Sequence, residues 1–211
     1  MKDRIPDRRP ISARKSPVSQ RMAGALARWG ISPNAISVAS AIFSFTAAGS
    51  LLLTSHDDSL WLWWAAAAFI LLRLLANMFD GMVAVETGKV SALGEIFNEV
   101  PDRISDVVIF ISAGYASGSM EVFGYLAAIF SLLVAYIRAL GNTMGVSQLF
   151  QGPMAKSHRM FTLIAVCLYY GSLSLVFPIP SLMTWGLALI VLGSIVTFLV
   201  RLRRIISGVR Q

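Results

Sequence analysis

The stretch NMFDGMVAVETGKVSALGEIFNEVPDRISD, residues 77–106, holds Asp80, Glu86, Glu95, Glu99, Asp102 and Asp106, six of the chain's 11 acidic residues, in a sequence that is 56% hydrophobic. Asn77 and Asp80 stand three apart, and Gly81 and Ala84 continue nearly the same face. Further on, Gly94, Asn98 and Asp102 follow at four-residue steps, Asp106 extends the row, and Glu95 and Glu99 form an adjacent one. Residues three and four apart share a helix face, so two facing helices would turn short oxygen ligands toward each other. Small residues on those faces let backbones or a ligand come close. Ionisable groups at the ends of apolar helices are costly unless paired or metal-bound. Hard divalent cations such as Mg²⁺ take oxygen ligands and bridge phosphates. The chemistry implied is a metal-dependent phosphate site. The alternative is a set of solvated interfacial carboxylates paired with Lys89 and Arg103.

The elements that would position these residues follow from composition. Over 211 residues the mean hydropathy is +0.68 and 14% of residues are charged, which suits an all-α, polytopic membrane protein. A spanning helix needs roughly 20 mainly apolar residues. Six such stretches lie near 34–54, 60–79, 103–117, 122–142, 160–177 and 182–201, the third as part of a longer helix starting near Ser91. Ser32 and Pro33 read as the N-cap and first residue of a helix. Trp61, Trp63 and Trp64 open the second span at its outer end, where indole rings favour the headgroup level. Residues 19–30 mix basic and apolar side chains at helical spacing, predicting an amphipathic helix in the membrane interface. The chain thus divides into a basic N-terminal segment, 1–31, and a six-helix domain, 32–211.

The formal charge of +7 sits mainly at the termini, with eight Lys and Arg among the first 30 residues. The positive-inside rule then places both termini, the 80–103 stretch and the 145–159 loop on the cytoplasmic side of a bacterial-type inner membrane. Asn77 lies ~26 Å along the second span from Leu60, so the acidic residues of two helices converge just inside the cytoplasmic boundary. Anionic lipid headgroups account for the basic tails, and no nucleic-acid partner is expected. Cys167 is the one cysteine and sits in the fifth span, which excludes an intrachain disulfide.

Residues 77–102 resemble the signature of the CDP-alcohol phosphatidyltransferase family, D-x2-D-G-x2-A-R-x8-G-x3-D-x3-D. The chain reads Asn77-x2-Asp80-Gly81-x2-Ala84-Val85-x8-Gly94-x3-Asn98-x3-Asp102. The spacing matches at every step, and the residues SPN before the first span and AYIRAL in the fourth extend the likeness. The resemblance implies a phospholipid-synthesis enzyme that moves a phosphoalcohol from a CDP-linked donor, such as CDP-diacylglycerol, to an acceptor hydroxyl and releases CMP. It further implies Mg²⁺ or Mn²⁺, with Asp80 and Asp102 as metal ligands and Asp102 as the base. Asn77, Asn98 and Glu99 would complete the metal shell, and Asn77, Asp80, Gly81, Ala84 and Gly94 would line the nucleotide. Arg138, matching the family's fourth-span arginine, would hold phosphate or acceptor together with Lys156 and Arg159.

Three signature positions depart: Asn77 and Asn98 stand where the family has aspartate, and Val85 where it has arginine. The first two leave the site two negative charges short. Three outcomes stay open: Glu95, Glu99 or Asp106 supplies the missing charge, one metal suffices, or a non-catalytic relative binds nucleotide or lipid and regulates a partner. Retained activity is the expectation. A transporter using the same carboxylates would need polar groups reaching the outer face, and the outer halves of the spans carry almost none. Arg73, one turn before Asn77, pairs with the acidic cluster or snorkels. Small residues around Gly114–Gly118 and Gly141–Gly145 suit helix contacts, including those of a homodimer.

Overall fold

The computed structural model describes residues 14, 16–88, 92–146 and 149–209, without the side chains of 92, 93 and 95. Residues 1–13 and 15 of the basic N-terminal segment, Lys89, Ser91 and the Glu95 side chain therefore lie outside the described residues. Among the described residues seven helices follow in order: α1 (Pro17–Arg28), α2 (Pro33–Leu53), α3 (Trp61–Glu86), α4 (Ala92–Gly114), α5 (Glu121–Thr143), α6 (Lys156–Ser172) and α7 (Leu182–Val209). Among the described residues there is no strand.

Local chemistry sets several of the helix ends. Ser32 caps α2 by accepting the Ala35 N–H at 3.2 Å, and Pro33 occupies the first helical position. Gly30, at φ 74°, turns the chain between α1 and α2 in a conformation that favours glycine. Inside α4, Pro101 frees the Phe97 carbonyl from the helical ladder one residue before Asp102.

Helices α2, α3, α5 and α7 are long and apolar enough to cross a membrane. Their faces are arranged for lipid. On α2, Val38, Ile42, Phe45 and Leu52 are exposed while Ser37, Ser40 and Ser44 are buried. On α7, Trp185, Leu189, Leu192, Val196 and Leu199 form an exposed apolar stripe. A water-soluble helix has the opposite arrangement, with the apolar stripe facing inward. Helices α4 and α6 fall at two of the six expected spans but carry the charged residues of the site. Helix α3 continues to Glu86, beyond the apolar run, and α6 begins at Lys156, ahead of it. The extensions carry Asp80 on α3 and Lys156 and Arg159 on α6, whose partners lie inside the bundle, which apolarity alone does not mark.

The core joins α2, α3, α4, α5, α6 and α7 through buried residues such as Leu51, Ile70, Phe110, Ala127, Leu163 and Leu187. At the end of the bundle where α3 begins and α6 finishes, Trp63 stacks on Tyr170 with ring centroids 4.3 Å apart, and Trp64 Nε1 donates to the Gly171 carbonyl at 3.0 Å. Two of the glycines singled out by sequence are consumed within the chain. A Cβ on Gly114 would meet Gly124 Cα at 2.9 Å, and one on Gly141 would strike the side chains of Leu149 and Ile205. A Cβ on Gly124 would lie 2.7 Å from both Gly114 Cα and the Phe110 carbonyl oxygen. Those are backbone atoms of α4, so the helices themselves must part. Gly124→Ala is expected to destabilise the protein by about 1–3 kcal/mol, read as a lowered thermal midpoint in detergent. An unchanged midpoint would show that the α4–α5 crossing is loose.

Candidate active site

The site lies where α2, α3, α4 and α6 meet, and α2 packs on both α3 and α4. Serines spaced three and four apart on α2 tie it to α3: Ser37 Oγ donates to Asp80 Oδ2 at 3.0 Å, and Ser40 Oγ to the Arg73 carbonyl at 3.3 Å. Asp80 is 2% exposed, yet its Oδ1 accepts no hydrogen bond. A buried acceptor left open is costly unless a ligand fills it.

Polar side chains join α3 to α4. The fully buried Arg73 reaches Asp106 Oδ1 at 2.5 Å and Asp102 Oδ1 at 3.3 Å through Nη2, which also donates to the Asp102 carbonyl at 3.3 Å. One turn later, Asn77 Nδ2 donates to Asp102 Oδ1 at 2.6 Å.

The first turn of α6 closes the site. Lys156 Nζ donates to Asp102 Oδ2 and, at 3.0 Å, to Asn77 Oδ1. Arg159, 1% exposed, donates to the Met154 carbonyl at 3.1 Å and faces Asp106 Oδ2 at 3.5 Å. Cations at a helix N-terminus oppose the helix dipole, and α6 has no acidic residue in its first turn. Asp102 and Asp106 of α4 supply the compensating charge.

Toward the edge of this cluster, Glu99 is bound by Arg103 at 2.5 Å and by Arg138 of α5 at 2.6 Å. Asn98 and Gly94 lie one and two turns before Asp102 on α4, and both are half-buried. Gly81 lines a cleft of about 530 Å³ with Met82, Val85 and Glu86 of α3, against Arg14, Gln20 and Ala23 from the N-terminal side. Ala84, also half-buried, follows on the same helix.

The structure therefore gathers Asn77, Asp80, Asp102, Lys156 and Arg159 around one point, with Arg138 and Glu99 at its rim. Three partners had weak or no sequence signal. Ser37 belongs to a serine row in an apolar helix, which reads equally as packing. Arg73 stood between pairing with the acidic cluster and snorkelling, and it pairs with Asp102 and Asp106; Asp106 was a candidate for the missing charge, and Arg73 and Arg159 hold it.

The residues present fit a divalent cation in part. The open Oδ1 of Asp80 is a suitable hard ligand. Asp102, Asp106 and Glu99 are already bound by cations of the chain. Among the described residues no three His, Cys, Asp or Glu side chains gather as a metal cage.

This arrangement has relatives. Residues 30–199 match the sequence profile of the CDP-alcohol phosphatidyltransferases. The archaetidylinositol phosphate synthase of Aeropyrum pernix is 30% identical over 71% of this chain and 73% of its own length. The phosphatidylinositol phosphate synthase of Mycobacteroides abscessus is 25% identical over 89% of the chain and 83% of its own. Among solved structures, the phosphatidylinositol phosphate synthase of Mycobacterium tuberculosis in complex with manganese and citrate superposes with a TM-score of 0.71. It is 22% identical, with 89% of this chain and 88% of that one covered. The same enzyme with CDP-DAG bound gives 0.69 over 90% and 94%, again at 22% identity. These two share the fold. With a profile match spanning 170 of 211 residues, the chain belongs to the CDP-alcohol phosphatidyltransferase family, whose members are divalent-metal-dependent transferases that use CDP-linked donors and alcohol acceptors.

Proposed function

We propose that this protein transfers a phosphatidyl group from CDP-diacylglycerol to an acceptor hydroxyl, releasing CMP. The observation that carries this reading is the buried, open Oδ1 of Asp80 set beside Asp102 and the basic turn of α6. Asp80 would anchor a divalent ion in a pocket bordered by Asn77, Asn98, Glu99 and Asp102, and Asp102 would take the acceptor's proton. When bound, the ion would offset the charge that builds on the departing CMP. Gly81, Ala84 and Gly94 would face the nucleotide, with the cleft beside Gly81 as its berth. Lys156, Arg159 and Arg138 would orient the phosphates. All three stand at the site with carboxylate partners, and a diphosphate offers the same guanidinium and ammonium groups equivalent acceptors.

The setting goes with this function. All six helices from α2 to α7 would span an inner membrane as one domain, with α1 in the interface and the site open to the cytoplasm. The apolar outer faces of α2 and α7 support it, as does the charge of the termini. Contact between two copies through those outer faces would give a homodimer.

The test is CMP release by purified protein in detergent or lipid, with CDP-diacylglycerol, Mn²⁺ or Mg²⁺ and a pool of alcohols headed by inositol phosphate. That choice follows the activities named for the two sequence relatives. Release that chelation abolishes is expected. Asn77, Asn98 and Val85 favour a second reading, a non-catalytic relative that binds nucleotide or lipid and regulates a partner. CDP-diacylglycerol binding with no release under any metal or acceptor would select it.

A further inference from the structure

Asn77 and Asp102 occupy the first and last positions of the signature, both aspartate in the family pattern. Here one ammonium bridges them: Lys156 Nζ bonds Asn77 Oδ1 at 3.0 Å and also Asp102 Oδ2. We propose that Lys156 stands in for one divalent cation, so that the site takes at most one metal ion, anchored at Asp80. This rests on the transferase reading of the same site.

Ligand chemistry carries the argument. A metal needs oxygen lone pairs, but Asn77 presents an N–H to Asp102 Oδ1 at 2.6 Å. Flipping the amide would aim its NH₂ at the Lys156 ammonium and its oxygen at the Asp102 carboxylate. Both contacts would repel, so the two neighbours fix the orientation. Asp102 has each oxygen occupied, Oδ1 by Asn77 and Arg73 and Oδ2 by Lys156. Asp106 is likewise occupied, by Arg73 at one oxygen and Arg159 at the other. Of these three buried carboxylates only Asp80 keeps an open oxygen.

The charges agree. Among the described residues Asp102, Asp106 and Glu99 pair with Arg73, Arg103, Arg138, Lys156 and Arg159, and with Asp80 the carboxylates number four against five cations. The site is positive before any metal enters. A second divalent ion would have to displace the ammonium and sit against an amide instead of a carboxylate.

The test is Mn²⁺ titration of the full-length protein in detergent, without substrate, following the free Mn²⁺ signal by electron paramagnetic resonance. Wild type is expected to bind no more than one Mn²⁺ per chain. Asn77→Asp/Lys156→Gln, which restores the carboxylate and removes the ammonium, is expected to bind one more. Two Mn²⁺ per wild-type chain would overturn the proposal, and so would a folded double variant with the wild-type count. Should the double variant fail to fold, the wild-type count alone still decides. CMP release separates this inference from the transferase reading. Absent release with the expected Mn²⁺ counts removes the reading and keeps the lysine's role, whereas release with two bound Mn²⁺ does the reverse.

Discussion

Arg73→Met is expected to cost about 3–5 kcal/mol, the loss typical when one partner of a buried ion pair is removed. For a chain of this size that corresponds to a fall on the order of 10 °C in Tm. Arg73 is fully buried, and its Nη2 is the shortest contact of Asp106, at 2.5 Å. Without it Asp106 keeps only Arg159 at 3.5 Å and Arg103 at 3.9 Å, and its carboxylate stays 1% exposed. The penalty is the stranded charge more than the lost bond, so Asp106→Asn in the same chain should recover part of the loss. The coupling between the two substitutions is expected to be about 0.5–3 kcal/mol. Arg103→Ala sets the scale for a partly exposed cation: it removes the i,i+4 partner of Glu99, whose side chain is 42% exposed, and the 3.9 Å contact to Asp106, and is expected to cost about 0.5–1 kcal/mol. Thermal unfolding of the four variants and wild type in one detergent checks all of this. A loss under about 1 kcal/mol for Arg73→Met would mean that water or another cation already serves Asp106.

That network also marks the limit of what the sequence revealed. Helices α2, α3, α5 and α7 were legible because apolar length alone specifies them, and Ser32–Pro33 announced the start of α2 through a cap that the structure contains. The extension of α4 ahead of its apolar part was legible too, since Gly94, Asn98 and Asp102 hold helical spacing through polar sequence. The meeting of Asn77 with Asp102 followed from placing both at the same depth, and the 2.6 Å contact agrees.

The pairing of charges was legible only near Asn77, where Arg73 was expected to pair with the acidic cluster or snorkel and pairs with Asp102 and Asp106; the return of α6 was not. Lys156 lies 54 residues beyond Asp102, after α5 and a loop, and no local period encodes that return. Basic residues ahead of an apolar span read equally as phosphate ligands and as headgroup contacts, and neither reading of Lys156 and Arg159 names Asp102 or Asp106 as a partner. Only packing α6 against α3 turns them inward. Glu99 and Asp106 were candidates to replace the charge missing at Asn77 and Asn98, but Arg138 and Arg73 hold them. Ser37 had no signal at all, because a serine in an apolar helix more often bonds its own backbone, as Ser44 does to the Ser40 carbonyl at 2.8 Å.

Asp102→Asn is expected to lower CMP release by on the order of 10²- to 10⁴-fold, the range set by removal of a general base. Three donors converge on this carboxylate: Arg73 and Asn77 on Oδ1, and Lys156 on Oδ2. They fix its direction, as a group that accepts a proton from a bound hydroxyl requires. An amide there has one acceptor oxygen and two N–H donors. Whichever way it turns, an N–H meets Lys156 or the Arg73–Asn77 pair, so some loosening of the site is expected beside the chemical loss. Binding separates the two effects. Donor affinity, measured with CDP-diacylglycerol and without acceptor, is expected to stay within about tenfold of wild type, since a factor of ten corresponds to only ~1.4 kcal/mol. Turnover that collapses while the donor stays bound assigns Asp102 to the reacting atoms. Turnover and affinity falling together would make it an anchor for the three donors. Release unchanged by the substitution would take the carboxylate out of the chemistry and leave Asp80 as the site's one working acid.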